Sequence, residues 1–214
     1  MYLFRHFMNR GSESRTRVPK LRTRLRLVTS EAILAAAEAA IAERGLHAAG
    51  MVEIAERAGV SVGTLYNHFR DKDALVAALI EGRRRELATR IDQALAPLGD
   101  APFGAQLGAF VEALAAHFED HRRFLQMIWD EESARGTPVA RREGSPIADV
   151  RTRLDRLMKL GVREGALRKD GAGLFAAALM GMAKGVFMAD KRPGKRSATA
   201  SALLALFLEG AAAR

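Results

Sequence analysis

The sequence predicts an all-α fold of about nine helices. Alanine and leucine are abundant, runs of β-branched residues are absent, and apolar residues recur every three to four positions after residue 28. An alternating strand pattern and internal repeats are both missing. The 214 residues are enough for one or two small domains with a sizeable core. We predict a basic arm at 1–28, a helical unit at 29–75 and a larger helical domain at 76–214.

The arm holds most of the excess positive charge of the chain. The net charge is +9, and residues 1–28, with eight Lys or Arg and one acid, account for +7 of it. Residues 29–75 hold four basic and seven acidic side chains, which gives −3. Such a basic segment is either a solvated tail or an arm that binds nucleic acid, and charge alone does not choose between them. In both cases we expect a flexible arm.

The first helix of the 29–75 unit is predicted at about residues 30–44, because apolar residues recur there on one face. Thr29 or Ser30 can cap its start, and Gly45 ends it. A second, short helix follows at about 51–58.

Serine and aspartate mark the starts of the next two helices. Ser61 has the chemistry to cap a helix at 62–69, and Asp71 can cap a longer helix that runs from Lys72 to Leu95. Segments rich in glycine and proline then separate five further helices, predicted at about 103–117, 122–134, 147–160, 173–189 and 197–213.

Residues 54–75, IAERAGVSVGTLYNHFRDKDAL, have the composition of two short helices that cross at a steep angle. Ala55 allows the helices to approach closely, and Gly59 supplies the positive φ that a tight turn needs. This combination predicts a helix-turn-helix, although an αα-hairpin without a role in DNA binding has the same spacing. The apolar contacts that fix the crossing angle are expected from Ile54, Val60 and Leu65.

The second of these helices carries the candidate DNA-binding residues. A recognition helix places its N-terminal residues against base edges and flanking groups on phosphates. Val62 can pack on a thymine methyl group, and Gly63 permits close approach of the backbone. Each polar candidate also fits an ordinary surface or core position, so the cluster predicts DNA binding more strongly than any single member. These candidates are Thr64 and Asn67 for base edges or phosphates, Tyr66 and His68 for phosphates, and Lys72 as a cation beside a helix N-terminus.

Residues 54–75 resemble the DNA-binding signature of the tetracycline-repressor (TetR) family of transcriptional regulators. The preceding segment, ILAAAEAAIAERG, resembles the first helix of that family, and close matching covers about residues 29–80. One departure is Gly50, where the family often has a capping threonine. Glycine is an acceptable cap, so the departure concerns a phosphate contact and not the fold. The matching elements are Ile54-Ala55, Ala58-Gly59-Val60-Ser61, Gly63-Thr64-Leu65-Tyr66, His68-Phe69, Lys72 and Leu75.

The resemblance implies an all-α homodimer whose two recognition helices enter successive major grooves of a palindromic operator in double-stranded DNA. The centres of the half-sites are then one helical turn apart, on the order of 35 Å. It also implies phosphate contacts from Tyr66, His68 and Lys72, and base contacts from about 62–67. Because the 29–75 unit is net negative, we infer that the basic arm supplies much of the attraction to DNA.

The sequence after residue 75 contains no enzyme constellation. PGKRS lacks the upstream glycine of a P-loop, and neither a Gly-x-Ser-x-Gly elbow nor an HExxH pair occurs. His117 and His121 would share a face of an uninterrupted helix and could then ligate a metal. Asp120-His121 resembles a helix junction, which would break that geometry. We therefore predict no metal site, no cofactor and no enzymatic activity.

The resemblance further implies an effector cavity among the central helices, and the composition of the last two helices favours a dimer interface there. Methionine and phenylalanine are concentrated in this half; most such residues serve the core, but they also line adaptable pockets for small apolar molecules. The helices at 173–189 and 197–213 are apolar over much of their surface, so pairing with a second chain would bury them, whereas a monomer would bury them internally. Candidate effector-lining residues are Phe110, Phe118, Met127, Phe175 and Met182.

The predicted function is therefore a sequence-specific transcriptional regulator in the cytoplasm, a repressor released from its operator by an unidentified small apolar effector. A constitutive, ligand-independent DNA-binding or architectural protein is the alternative. No apolar run approaches the roughly 20 residues of a membrane span, and the N-terminus lacks the apolar region of a signal peptide. We expect neither a membrane anchor nor a secretory signal.

Overall fold

The computed structural model describes residues 21–135, 146–171, 173–189 and 196–211. Within these ranges the chain forms nine α-helices and no strand, which confirms the predicted all-α fold. No helix among them is long and apolar enough to cross a bilayer. The helices are α1 (Leu21–Arg44), α2 (Met51–Arg57), α3 (Val62–His68), α4 (Lys72–Leu95), α5 (Phe103–Asp120), α6 (Arg122–Arg135), α7 (Pro146–Arg163), α8 (Phe175–Ala189) and α9 (Arg196–Ala211), with a short 3₁₀ turn at Ala96–Leu98.

The predicted start of the first helix is wrong. Helix α1 begins at Leu21 rather than near Ser30, and the proposed cap Thr29 lies inside the helix, where its Oγ1 donates to the Leu25 carbonyl oxygen at 2.9 Å. Residues 21–28 of the predicted flexible arm are therefore helical. Residues 1–20 lie outside the described part of the chain.

The physical reason for this error is the absence of a buried face in the first two turns of α1. Leu25 and Val28 are 57% and 63% exposed, so the periodicity of buried apolar residues does not extend to them. Leucine and arginine are nevertheless good helix formers, and no glycine or proline interrupts the chain between Pro19 and Gly45. Intrinsic propensity, without tertiary burial, is enough to continue a helix that is already nucleated further along.

The helices pack around two hydrophobic cores. The head core lies among α1, α2, α3, the first half of α4 and part of α6. The body core lies among the second half of α4, α5, α7, α8 and α9. Helix α4 contributes to both, with Leu75 to Ile80 in the head core and Leu87 to Ile91 in the body core. Helix α4, which begins at Lys72, therefore packs continuously into both cores.

Candidate nucleic-acid interface

The turn between α2 and α3 is closed by backbone hydrogen bonds around a glycine. Gly59 has φ of +67°, and its N–H donates to the Glu56 carbonyl oxygen at 3.1 Å. The N–H of Val60 donates to the Ala55 carbonyl oxygen at 3.0 Å. These two bonds form a Schellman motif, which requires a residue that tolerates the left-handed region. The predicted role of Gly59 in the turn is confirmed.

Ser61 holds the first turn of α3. Its Oγ accepts a hydrogen bond from the Thr64 N–H at 3.0 Å and lies 2.8 Å from the Thr64 Oγ1. Asp71 does the same for α4, since its Oδ1 accepts from the Ala74 N–H at 2.7 Å. Both predicted caps are confirmed, and together they fix the two ends of the α3 segment.

Helix α3 is anchored on one side and open on the other. Leu65 is fully buried in the head core, together with Ile54 and Ala55 of α2. Close packing of Ala55 is what the predicted steep crossing requires. Of the seven candidate DNA-binding residues, the structure brings six to α3 itself: Gly63 and Asn67 are exposed, Tyr66 is 49% exposed, and Val62, Thr64 and His68 are half-buried.

The seventh candidate, Lys72, lies at the first position of α4 and is half-buried. Its Nζ donates to the His47 carbonyl oxygen at 2.9 Å and so ties α4 to the loop between α1 and α2. An ammonium group has three donors, so this bond leaves capacity for an anion beside the α4 N-terminus. The side chain therefore has a structural contact that the sequence did not predict.

The cations of the helix-turn-helix are largely matched by neighbouring acids. Arg57 pairs with Glu43 at 2.7 Å and with Glu53 at 2.8 Å, while Arg70 pairs with the adjacent Asp71 at 2.8 Å. This agrees with the negative balance of the 29–75 unit. The exposed first turns of α1 carry two further cations, Arg24 and Arg26.

Comparison with known proteins matches this segment to one family. Residues 33–79, from the middle of α1 to the first half of α4, match the family described as bacterial regulatory proteins, tetR family. The HTH-type transcriptional activator FasR of Mycolicibacterium smegmatis is 36% identical over 108 residues, which are 50% of this chain and 48% of that protein. The helix-turn-helix segment of this chain is therefore a TetR-family DNA-binding segment. The chain spans about half the length of the curated relatives that it matches.

Solved structures extend the likeness beyond the helix-turn-helix. The ketosteroid transcriptional regulator KstR2 of Mycobacterium tuberculosis superposes with a TM-score of 0.66 at 25% identity, over 86% of this chain and 95% of that one. A putative tetR-family regulator from Shewanella sp. PV-4 gives a TM-score of 0.69 at 21% identity, over 87% and 99% of the two chains, and shows the fold alone.

Four of the five candidate effector-lining residues lie in one core. Phe110, Phe118 and Phe175 are buried in the body core, and Met182 packs against it. Met127 does not lie with them, because it packs against the head core from α6. Helical periodicity places a residue on a buried face, but it does not say which of two cores that face meets.

The rings of the body core pack against one another. Phe118 stacks on Phe187 with centroids 5.2 Å apart and lies 5.3 Å from the Trp129 ring, while Lys184 Nζ sits 5.0 Å from that indole. A polar cleft of about 720 Å³ opens elsewhere, between α4, the start of α5 and α7, and none of the predicted effector residues lines it. Its walls carry the bidentate pair Asp92–Arg153, at 2.6 Å for both bonds.

A polar cluster joins α1, α4 and α5 between the two cores. His121 places Nδ1 2.6 Å from Glu38 Oε1 of α1 and Nε2 3.2 Å from Glu86 of α4. Burial alone would lower the pKa of His121, but the hydrogen bonds to Glu38 and Glu86 outweigh it and raise that pKa. Burial alone would raise the pKa of Glu86, yet hydrogen bonds from His121 and Arg83 bring it down to about 2. The groups therefore form a charged, hydrogen-bonded junction.

His117 completes this cluster from α5. It is only 2% exposed, its ring centroid lies 4.8 Å from that of His121, and burial lowers its pKa to about 4. The helix junction expected at Asp120-His121 is confirmed, because α5 ends at Asp120 and α6 begins at Arg122. It does not separate the two histidines, because His121 caps α5 and its N–H still bonds the His117 carbonyl oxygen at 3.2 Å. Glu38 and Glu86 could not be predicted as members of this cluster, because they are far from His121 along the chain and have no local sequence signal.

Proposed function

We propose that this chain is a sequence-specific, DNA-binding transcriptional regulator. The observation that carries the proposal is the form of α3, a capped helix held by the buried Leu65 with Gly63, Tyr66 and Asn67 on its open side. The family match over the same residues supports it. A regulator of this kind works where chromosomal DNA is accessible, so we propose a cytoplasmic location.

The proposed contacts divide between bases and phosphates. Val62, Gly63 and Thr64 form the first turn of α3, the part of a recognition helix that reads base edges in the major groove, and we assign Asn67, one turn further along, to the same role. Tyr66, His68 and Lys72 are assigned to phosphate oxygens, which fix register without reading sequence. His68 and Lys72 are half-buried, which suits side chains that also stabilise the helix-turn-helix.

We propose a homodimer that forms through α8 and α9. Leu206 of α9 is 56% exposed, and small residues line the exposed sides of both helices, including Gly181 and Gly185 of α8 and Ala202 of α9. Small residues allow helices to approach closely, and an exposed apolar helix face favours burial against a partner. A two-fold axis through this pair would present two α3 helices to a palindromic operator, with half-site centres on the order of 35 Å apart.

We propose repression, relieved by a small apolar effector in the body core. Helix α4 packs into both cores, so a molecule that moves its second half also moves the head that its first half carries. A coupling of about 1–3 kcal/mol is typical of allostery, and it is reciprocal. Operator DNA should therefore weaken effector binding to the same degree. The direction of regulation is a separate part of the proposal, because FasR is named an activator.

A constitutive DNA-binding protein is the second candidate, and the packing of the body core favours it. The Phe118 ring already packs against the rings of Phe187 and Trp129. An effector would have to displace or repack them. Thermal unfolding with a panel of steroids, fatty acids and phenols separates the candidates, since binding to the native state raises Tm. A ligand that raises Tm and weakens operator binding supports the effector-controlled regulator, whereas no Tm shift across the panel supports the constitutive one.

Selection of bound duplexes from random DNA tests the proposed function directly. We expect a two-fold symmetric sequence to be enriched at moderate salt. Asn67→Ala should then weaken binding to that sequence by about 1–3 kcal/mol, whereas Gln93→Ala, which removes an exposed side-chain amide on α4, should leave binding unchanged. Enrichment of no symmetric sequence, with the protein folded and free of added ligand, would overturn the proposal.

A further inference from the structure

Three potential metal ligands meet where α4 and α5 cross. Glu86 of α4, His117 of α5 and His121 at the α5 cap each offer one ligand atom, and these atoms all lie within 4.8 Å of one another. We call these three residues the His–Glu cluster. Two imidazoles and one carboxylate form a donor set that zinc takes in proteins, with water in the remaining position.

His117 gives an independent indication of a missing partner. The residue is 2% exposed, and its Nδ1 is buried without a hydrogen-bond partner. Buried polar side-chain atoms are nearly always satisfied, because leaving one unpaired costs about 1–3 kcal/mol. The ring cannot recover this cost from a protein group in the described structure, and a bound ion with its water is a partner of the right chemistry.

The spacing of the other two ligands already suits a small cation. His121 Nε2 lies 3.2 Å from each oxygen of the Glu86 carboxylate. Two ligand atoms at about 2.0–2.1 Å from a tetrahedral zinc are about 3.3 Å apart. Replacing the proton between these groups by a metal therefore needs little movement of either side chain.

The outer contacts are those of a supported metal site. The second nitrogen of His121 is 2.6 Å from Glu38 Oε1, which is the carboxylate–histidine arrangement that orients a ligating imidazole. Arg83 and Arg90 donate to the Glu86 carboxylate at 2.7 and 2.9 Å and hold it in place. Arg83 and Arg90 pair with the carboxylates of Glu38, Glu86 and Asp120, so carboxylates outnumber guanidinium groups within this paired set.

An open groove leads from solvent to His121 of the cluster. It has a volume of about 560 Å³ and runs between α1 and the α5–α6 corner, with Glu38 and His121 in its wall. A hydrated ion can therefore reach His121 without unfolding of either core. The groove also explains how His121 can be half-buried while His117, one helical turn away, is fully covered.

We propose that Glu86, His117 and His121 bind a divalent transition-metal ion of the zinc, cobalt and nickel class, with Glu38 positioning His121 from α1. Imidazole-rich sites select these ions over magnesium and calcium, which prefer oxygen donors. The ligands lie on α4 and α5, and Glu38 lies on α1, so the ion ties the head to the body. This site is separate from the proposed DNA surface on α3.

Titration of the full-length, chelator-treated chain with Zn²⁺ in the absence of DNA tests the proposal. We expect saturable binding of one ion per chain at this site and a rise in Tm on saturation. Glu86→Gln should weaken zinc binding by at least tenfold, and Glu38→Gln by about 10–100-fold. Two matched controls should bind zinc as the wild type does. They are Glu81→Gln, on α4 with Glu86, and His47→Gln, which changes an exposed histidine outside the cluster.

Cobalt and a second ligand variant make the outcome decisive. Co²⁺ should give the intense visible absorption of a four-coordinate ion, and His117→Leu, which keeps the ion pairs of Glu86 and the apolar packing of α5, should abolish that spectrum. If Glu86→Gln unfolds by circular dichroism, His117→Leu alone decides. Equal zinc affinity in the wild type and His117→Leu, or no saturable zinc binding by the folded wild type, would overturn the site. Because DNA takes no part, these outcomes are independent of the proposed function.

Discussion

Ser61 shows how one side chain fixes the segment proposed to read DNA. Its Oγ satisfies the Thr64 N–H, one of the four N-terminal donors of α3 that have no intrahelical partner. With only seven residues, α3 has few other backbone bonds to keep it formed. The cap therefore contributes a large share of the local stability of this helix.

We expect Ser61→Ala to lower the free energy of unfolding by about 1 kcal/mol, because alanine leaves that N–H without an acceptor. Ser61→Asp, which restores an acceptor at the same position, should recover most of the loss. Urea unfolding at a fixed protein concentration measures both variants. A Ser61→Asp protein as unstable as Ser61→Ala would show that the hydroxyl acts through something other than capping.

For individual residues, the helix caps and the turn glycine are what the sequence predicted most accurately. The caps Ser61 and Asp71 and the turn glycine Gly59 depend on neighbours within five residues, so their roles can be predicted from the order of residues alone. The bond from Lys72 to the His47 carbonyl oxygen spans 25 positions and could not be predicted in this way. The same limit hid Glu38 and Glu86, which meet His121 only after the helices pack.

Among the elements, the first turns of α1 are the clearest departure from expectation. They form a helix whose apolar side chains stay exposed, and they carry Arg24 and Arg26 beside the net-negative helix-turn-helix. Sequence periodicity detects burial and not helix formation as such, so an exposed helical extension is invisible to it. A regular helix holds these guanidinium groups at fixed spacing rather than on a loose tail.

Neutralising this extension should weaken DNA binding in a salt-dependent way. Arg24→Gln with Arg26→Gln should make the slope of log K against log[salt] shallower by up to about 1.8, because each phosphate contact contributes about 0.9. Fluorescence anisotropy between about 50 and 200 mM salt measures the slope. The matched control is Arg151→Gln with Arg156→Gln on α7, both exposed, for which we expect no change. If the two double variants have equal slopes, Arg24 and Arg26 do not contact DNA.

The pair Asp92–Arg153 joins α4 to α7 across the polar cleft. Hydrogen bonds from the Arg153 guanidinium hold the pKa of Asp92 below its ordinary value. The carboxylate therefore stabilises the fold above the unfolded pKa of about 3.9, and this contribution is lost as pH falls through the lower folded pKa. Because Asp92 is about half exposed, the contribution is about 0.2–1 kcal/mol.

Asp92→Asn should accordingly lower the free energy of unfolding near pH 7, and the difference from wild type should shrink as the pH falls below about 4. Urea titrations at several pH values measure it. Asp100→Asn, which alters another carboxyl group of the same cleft, is the control. A coupling energy near zero in a double-mutant cycle with Arg153→Gln would contradict this account.

At the scale of the whole molecule, the number of helices in the described part of the chain could be predicted from the sequence, but their partition into two cores could not. Strong apolar periodicity and breakers predicted helices close to the observed bounds, such as α4 from Lys72 to Leu95. Met127 and Phe118 carry the same kind of signal, yet they lie in or against different cores. Which core receives a buried face depends on packing between helices far apart in sequence, and a single helical pattern does not contain that information.

The proposed dimer gives the most direct test at this scale. Leu206→Glu should convert the dimer to a monomer, because a charge buried at the centre of an apolar interface is unpaired. Val52→Glu on α2 is the matched control, since Val52 is 57% exposed and Leu206 is 56% exposed. Sedimentation equilibrium distinguishes the states. If both variants keep the mass of the wild type, α9 does not form the interface.

Helix α4 has a weak point between its two anchored halves. Gly82 lies between Ile80 in the head core and Leu87 in the body core, and a Cβ placed on it would meet nothing within 4 Å. A glycine inside a helix costs about 0.5–1 kcal/mol relative to alanine. The local opening that exposes amide protons near Gly82 to deuterated solvent should therefore cost less free energy than the openings in either anchored half. Gly82→Ala should slow that exchange and make α4, the helix that connects the two cores, more rigid.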